Sequence, residues 1–468
     1  MRLSPQTLAH LSPGVARPGY DRAAQAVGIV HLGLGAFHRT HQAVYTDDAM
    51  AAGDRDWAII GVSLRSDAVQ QQLRPQAGLY TVTERDGLTE TRRLIGSLRD
   101  VLVASRDPTG VIEALAAAST YLVTLTVTEK AYCRDQDGSL DLAAPDLAHD
   151  LPADRPPRTI FGFLARGLAL RRGRGLAGLT LVCCDNLPEN GAVLQSLLAR
   201  FLEVVDPALA AWVANECTFP STMVDRIAPA STALDLHELA RNIGVADEAA
   251  VFTEPFCQWV IEDRFVGPRP RWEVGGAQMV SDVHAYETAK LRMLNGAHSA
   301  LAYIGLQAGH TYVHQAVRDP AIRPIIETLV RDEAASSLSP ASGQNLTRYA
   351  DALLVRFENQ ALAHRLSQIA MDGSQKIPQR WLATLAIRQA RDQASPALMA
   401  AIAAWLLHVR GDGAPVSDPA AGQLADLWRR AGLEGIVRAT FGPDGLFASH
   451  WIVGEAEART LTALMSPT

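Results

Sequence analysis

The feature that most constrains this chain is a glycine-punctuated turn at the end of its first apolar run. Residues 26–33 read AVGIVHLG and close on Gly33-Leu34-Gly35. A parallel strand buried on both faces has this character. Residues 41–52 then carry helix-compatible side chains, and 57–62 (WAIIGV) form a second apolar run. Strand, glycine turn, helix and strand in this order make a βαβ unit. At such a turn one glycine permits the tight bend and a second lets the backbone approach a pyrophosphate. The following helix then aims its N–H groups at the negative charge. The segment predicts a dinucleotide turn, with Gly33, Gly35, Phe37, His38 and Arg39 as candidate cofactor-binding residues. His38 stands where G-x-G-x-x-G has its third glycine, so G-x-G alone is equally a plain strand-to-helix turn. Its place after the first strand decides for the nucleotide.

The end of the second strand bears on which nucleotide. An acidic residue there would grip the ribose hydroxyls of NAD, and an arginine would favour the 2′-phosphate of NADP. The sequence Ser63-Leu64-Arg65-Ser66-Asp67 contains both, so Arg65 and Asp67 are both candidates and spacing does not choose.

Further along, 79–83 and 91–95 flank Arg85-Asp86-Gly87, a hairpin signal. Residues 121–128 and 180–184 predict further buried strands. Strand-like patches follow at 221–227, 251–261 and 271–283, with little helix between them. From His284 onward, amphipathic helical patterns replace β-branched runs, with 381–392 and 396–410 the clearest. The expected fold is α/β: a Rossmann-type N-terminal domain with added strands over 1–285, then a mostly α-helical C-terminal domain over 286–468. One long helix is expected to cross the boundary.

Composition narrows the class. With 468 residues, 48% hydrophobic and 20% charged, the chain has an ordinary globular balance, which excludes disorder as its main theme. A net charge of -7 and no basic stripe argue against a nucleic-acid partner. No apolar stretch approaches the ~20 residues that span a bilayer, and the N-terminal segment has no apolar h-region. The five cysteines are an odd number, two of them adjacent (Cys183, Cys184) and none in a CxxC pair, so neither a disulfide framework nor a structural zinc fits. A reduced cytoplasmic protein is expected, as a monomer, with an oligomer left open.

Residues 286–303, YETAKLRMLNGAHSALAY, are the most informative stretch. On an ideal helix with Lys290 at zero, Glu287 lies near 60°, His298 near 80° and Asn295 near 140°. Leu291, Leu294 and Leu301 share that face, with Arg292, Gly296 and Ser299 opposite. Polar groups among leucines are costly to bury without partners, which suggests a cleft wall rather than a solvated face. The plainer reading is a core edge from which long side chains reach water. A lysine in an apolar cleft suits a general base. An asparagine can donate to a developing alkoxide without titrating, and a histidine can bond a substrate hydroxyl. Together they suit metal-free oxidation of a secondary alcohol. Two rivals are weaker. Tyr286 and Lys290 match the Y-x-x-x-K pair of short-chain dehydrogenases but lie far from the glycine turn, at the entry to a second domain. The close histidine pairs His38/His41 and His310/His314 lack the further ligands of a catalytic zinc site, so no metal is expected.

These segments resemble the mannitol dehydrogenase family of polyol-specific long-chain dehydrogenases. The likeness runs through GIVHLGLGAFHRTHQAVYTDD (28–48), CDNLPENG (184–191), MVDRI (223–227), KLRMLNGAHSALAYIG (290–305) and RFENQALAHRLSQIAMDGSQKIPQR (356–380). The resemblance implies a Rossmann-type domain, a helical domain, and metal-free catalysis between them with NAD, NADP staying open. It implies Lys290 as general base, Asn186 and Asn295 as oxyanion-stabilising donors, and Asp225 and His298 as groups that position substrate hydroxyls. It further implies Glu287 beside a proton path and Lys376 in contact with substrate. Gln368 stands where mannitol dehydrogenases tend to carry an arginine, which resembles the fructuronate reductase branch. Fructuronate reductase is therefore expected ahead of mannitol 2-dehydrogenase. A non-catalytic NAD(P)-sensing protein is the alternative of another class, and the set of Lys290, Asn295, His298, Asn186 and Asp225 argues against it.

Overall fold

In a computed structural model, which describes residues 1–466 apart from Leu88, Gln136 and Ala414, four of the apolar runs of the first half form one parallel sheet together with a fifth strand, 98–103, that the sequence reading did not single out. Its strands are β1 (Val27–Leu32), β2 (Ala58–Ser63), β3 (Leu98–Val103), β4 (Leu122–Leu125) and β5 (Thr180–Cys183). They lie in the order β3-β2-β1-β4-β5, every neighbouring pair parallel, with Val30 of β1 opposite Ile60 on one side and Val123 on the other. The chain leaves β1 outward through β2 and β3, then returns to β4 on the other flank. A crevice therefore opens beyond the C-terminal ends of β1 and β4, where such sheets bind ligands.

The added strands form two smaller sheets. The hairpin signal gives Tyr80–Asp86 antiparallel to Thr89–Ile95, extended by Val15–Ala16 and Val251–Thr253. Thr222–Asp225, Gln258–Glu262 and Gln278–Val280 form the other. Here the sequence reading needs correction. The patch 251–261 is two strands in different sheets, the start of 271–283 is a 3-10 turn at Trp272–Gly275, and an amphipathic helix, Ala233–Ile243, lies among them. That helix has a Thr232/Asp235 capping box, Thr232 Oγ1 accepting from Asp235 N at 3.1 Å, and Gly244 as a left-handed cap at φ 83°. The helix expected at 41–52 is preceded by a short one, Ala36–Thr40, the two broken at His41.

The chain divides into compact units at Met1–Val283 and His284–Thr468, the second beginning where its first helix begins. Among the described residues of the second unit every regular element is helical, apart from an isolated bridge between Tyr312 and Arg365. Its core gathers Trp381, Trp405, Tyr303 and Phe441 with many alanines and leucines. The helix Pro396–Arg410 shows how the unit is tied. Pro396 opens it, and the buried carboxylate of Glu333 accepts from Ala397 N and Leu398 N at 2.8 Å each. Two amides that a helix start leaves unpaired are thereby satisfied by a distant residue.

All five cysteines are free thiols. Cys183 and Cys184 are 0% and 1% exposed, and burial pushes both thiol pKa values up.

Gly33 is the residue on which the crevice turns. Its φ is 98°, and a Cβ there would lie 2.1 Å from the carbonyl oxygen of Thr126. Gly33→Ala should lower stability by ~2 kcal/mol or more in urea unfolding and abolish dinucleotide binding by titration. Wild-type affinity in that variant would remove the turn from the binding site.

Candidate active site

The crevice holds a cavity of about 380 Å³ lined by Gly33 and Leu34 after β1, by 63–66 after β2, and by 126–128 after β4. Lys130, Asp146 and Arg158 complete its polar wall. A Cβ on Gly35 would meet only Gly33 O, at 3.8 Å, so the protein leaves room for a ligand against that backbone. The residues present fit a dinucleotide.

Under the turn, a histidine fixes the geometry. The Thr126 hydroxyl donates to Gly33 O at 3.0 Å, so its oxygen accepts from His31 Nε2 at 2.8 Å, and His31 Nδ1 accepts from the Thr124 hydroxyl at 2.7 Å. Burial pushes His31 down to about 3, keeping this tautomer neutral. His38 is fully buried and stacks on His31 at 3.5 Å between ring centroids. Arg39 is also buried, donating to Ala249 O and to Gly35 O. Phe37 stacks on His41 at 5.0 Å. Of the run 33–39, Gly33 and Leu34 line the cavity, while the side chains of His38 and Arg39 brace the turn from below.

At the end of β2 the two candidates part. Arg65 lines the cavity and donates to Asp146 Oδ2 at 3.0 Å. Asp67 stands at the N-cap position of the helix Ala68–Leu73, its carboxylate accepting from Gln71 Nε2 at 2.8 Å and pairing with Arg106.

Asn186 lies exposed in the loop after β5, and Asp225, 6% exposed, ends the strand Thr222–Asp225. A residue the sequence reading passed over ties them. Asn190 donates to Asp185 O at 2.9 Å and to Thr222 O at 2.8 Å while accepting from Thr222 N at 2.9 Å. The carbonyl-amide side chain thus stitches the 184–191 loop to the strand bearing Asp225. Arg226 is directed elsewhere, onto Glu84, Thr40 O and Glu254 O. Asp185 was missed as well. Its carboxylate, 7% exposed, accepts from Val127 N at 2.6 Å and from the Tyr132 hydroxyl at 2.5 Å. Burial pushes it up to about 6, outweighing these bonds. An acid beside two buried cysteines at a strand end was the signal in the sequence.

In the second unit, Glu287, Lys290, Leu291, Asn295 and His298 are half-buried, whereas Ala289, Met293, Leu294, Ala297 and Leu301 are core. The ideal-helix reading misplaced Leu294 and Leu301, and the reason is a π-helical segment, Lys290–Asn295, in which Gly296 N reaches back to Leu291 O. Such segments link residues five apart and occur frequently at functional sites. Asn295 consequently sits one turn above Lys290 rather than about 140° around from it. His298 packs against Phe357 and His364 at 4.8 and 5.3 Å. Burial, then the nearby His364, Arg356 and Arg380, hold its pKa well below the usual value, so the ring is neutral at neutral pH. Lys376 lies on Gly373–Ile377, donating to Met371 O at 2.5 Å, its pKa lowered by burial and by Arg380. Among the described residues no group of three or more His, Cys, Asp and Glu could hold a metal ion.

Fold and pocket define a Rossmann-type dinucleotide-binding protein. Residues 27–274 match the mannitol dehydrogenase Rossmann domain and 282–439 the mannitol dehydrogenase C-terminal domain. The chain belongs to the mannitol dehydrogenase family, oxidoreductases that act on polyols or sugar acids. It is 41% identical to D-mannonate oxidoreductase of Escherichia coli (strain K12) over 444 residues, 93% of this chain and 91% of the relative. Among solved structures, a substrate-free D-sorbitol dehydrogenase superimposes with TM-score 0.93 at 30% identity, over 99% of this chain and 97% of the other. Pseudomonas fluorescens mannitol 2-dehydrogenase, solved with NAD and D-mannitol, gives 0.80 at 36% identity, over 99% and 95%.

The raised pKa of Asp185 makes a stability prediction. A carboxyl held above its unfolded value of about 3.9 stabilises the fold below that pH and loses the contribution as pH rises through its folded value of about 6. Between pH 4 and 7 the wild type should lose up to about 3 kcal/mol relative to Asp185→Asn. Parallel stability-against-pH curves for the two proteins would show that Asp185 does not carry the shift.

Proposed function

We propose that the protein is an NAD-dependent fructuronate reductase, interconverting D-fructuronate and D-mannonate. The observation that carries the chemistry is the π segment that stacks Asn295 on Lys290 in a half-buried row with His298 and Glu287. A base and a neutral amide donor one turn apart suit the two needs of alcohol oxidation, a proton acceptor and a stabiliser of the oxygen left behind. The sugar-acid reading is supported by the near full-length relationship to D-mannonate oxidoreductase, and a lysine such as Lys376 matches a substrate carboxylate. A second reading, D-mannitol 2-dehydrogenase, is favoured by the relative solved with NAD and D-mannitol.

NAD, which Gly33, Gly35 and Arg65 would hold, would supply the hydride acceptor for the carbinol carbon. Lys290 takes the hydroxyl proton, and Glu287 beside it offers that proton a way onward. Asn186 and Asn295 donate to the oxygen as charge develops. His298, neutral, has one donor and one acceptor for a hydroxyl, and Asp225 accepts from another. Gly33 and Gly35 would admit the pyrophosphate, and Arg65, which lines the same cavity, would meet the adenosine ribose or its 2′-phosphate. No metal takes part in this scheme, so prolonged chelation should leave turnover unchanged.

A panel following NADH absorbance with fructuronate, fructose, mannonate, mannitol, sorbitol and arabinitol tests the substrate. Fructuronate and mannonate should give the highest kcat/KM, and a clear preference for mannitol and fructose would transfer the assignment to the second reading. Lys290→Ala should lower kcat by ~10²–10⁴ with NADH binding nearly unchanged. Asn186→Ala and Asn295→Ala should each cost ~10²–10³ in kcat, the double variant being little worse than the worse single. Additive losses confined to KM would reduce both asparagines to substrate binding.

A further inference from the structure

The π segment is fastened from outside at its C-terminal end. Arg380 Nη1 donates to Asn295 O at 3.3 Å and to Ser299 Oγ at 2.8 Å, and Trp381 Nε1 donates to Gly296 O at 3.0 Å. Arg380 and Trp381 themselves belong to a second π segment, Pro378–Leu382, which packs on the first. Trp381 and Ser299 are buried at 0% and 2% exposure. Midway along the first segment, Arg292 is tied to Ser337 by bonds to its carbonyl at 3.0 Å and its hydroxyl at 3.2 Å. One clamp thus holds the middle of the wide turn and the other holds the point where α geometry resumes.

These contacts have an energetic purpose. π-Helical turns are rare beside α-helical ones, and an unrestrained segment would relax to α geometry. That relaxation would swing Asn295 to about 140° from Lys290. We infer that Arg380 and Trp381 are positioning residues which hold 290–295 in the π form and so keep Asn295 stacked on Lys290. The inference rests on the proposed roles of those two residues. Arg380 reaches the segment through backbone and Ser299. Added to burial, its charge also lowers the pKa values of His298 and Lys376, an effect that Trp381→Phe does not share.

Hydrogen exchange and kinetics on the full chain test it. In Arg380→Ala, and more mildly in Trp381→Phe, which keeps the aromatic bulk, amides of 294–299 should exchange faster. For Arg380→Ala, kcat should fall ~10-fold or more, with substrate KM and directly measured NADH affinity within ~3-fold. Added guanidinium should restore part of the activity. In an Asn295→Ala background, removing Arg380 should cost less than ~3-fold further, because the group it positions is gone. Unchanged exchange in both single variants, a KM-dominated loss, or full additivity with Asn295→Ala would overturn the inference. If the wild type turned over no polyol or sugar acid, the proposed function would fall, while exchange would still decide whether these residues hold the π turn.

Discussion

Where β1 ends, the backbone of Gly33 lies against the carbonyl of Thr126, closer than any side chain would permit. The strands on either side of that contact belong to opposite halves of the sheet, so the contact sets the width of the crevice. From it a bonded path runs through the first unit. Thr126 is held by His31, and the next residue, Val127, is held by Asp185. Asp185 precedes Asn186, and Asn190 fastens the same loop to Thr222, three residues before Asp225. Glycine turn, cavity wall and the segments carrying Asn186 and Asp225 are thus parts of one network in the first unit. Its members are mostly uncharged or buried, so salt screens it little.

The helical unit reaches comparable order by another route. Its polar row owes nothing to a loop, since the helix carrying it is continuous from His284 to Gln307. One wide turn changes the phase of the helix, and donors from another segment meet its carbonyls. A rigid scaffold therefore presents groups that an ideal helix of the same sequence would spread around its circumference.

Four of the sheet's five strands were legible because they are apolar and the turn after β1 carries glycine, signals that need no partner to be read; β3, reading LRDVLV, was not, because Arg99 and Asp100 interrupt its apolar run. The hairpin at Asp86-Gly87 and the helix Pro396–Arg410 were legible for the same local reason. The split of 251–261 between two sheets was not, because apolar character does not say which strand a segment will pair with. For the candidate site, residue types singled out Lys290, Asn295 and His298, but their expected mutual placement assumed a constant 100° per residue. The π turn arises from tertiary contacts with Arg380 and Trp381, about ninety residues away in sequence, and periodicity cannot report it. Arg39 and His38 show the converse: residues suited to phosphate by type and position are directed instead into the packing beneath the turn.

The adjacent thiols of Cys183 and Cys184 acquire a definite chemistry from the alternation of a β-strand. Successive side chains leave opposite faces of the sheet, and the two sulfurs accordingly lie in separate hydrophobic clusters. A vicinal disulfide would have to bring both to one side, tearing the strand from its neighbour. With each thiol also kept protonated by burial, neither oxidant nor alkylating reagent finds a nucleophile while the sheet is intact. The pair is chemically silent in the native protein, and its reactivity is a clock for the opening of β5.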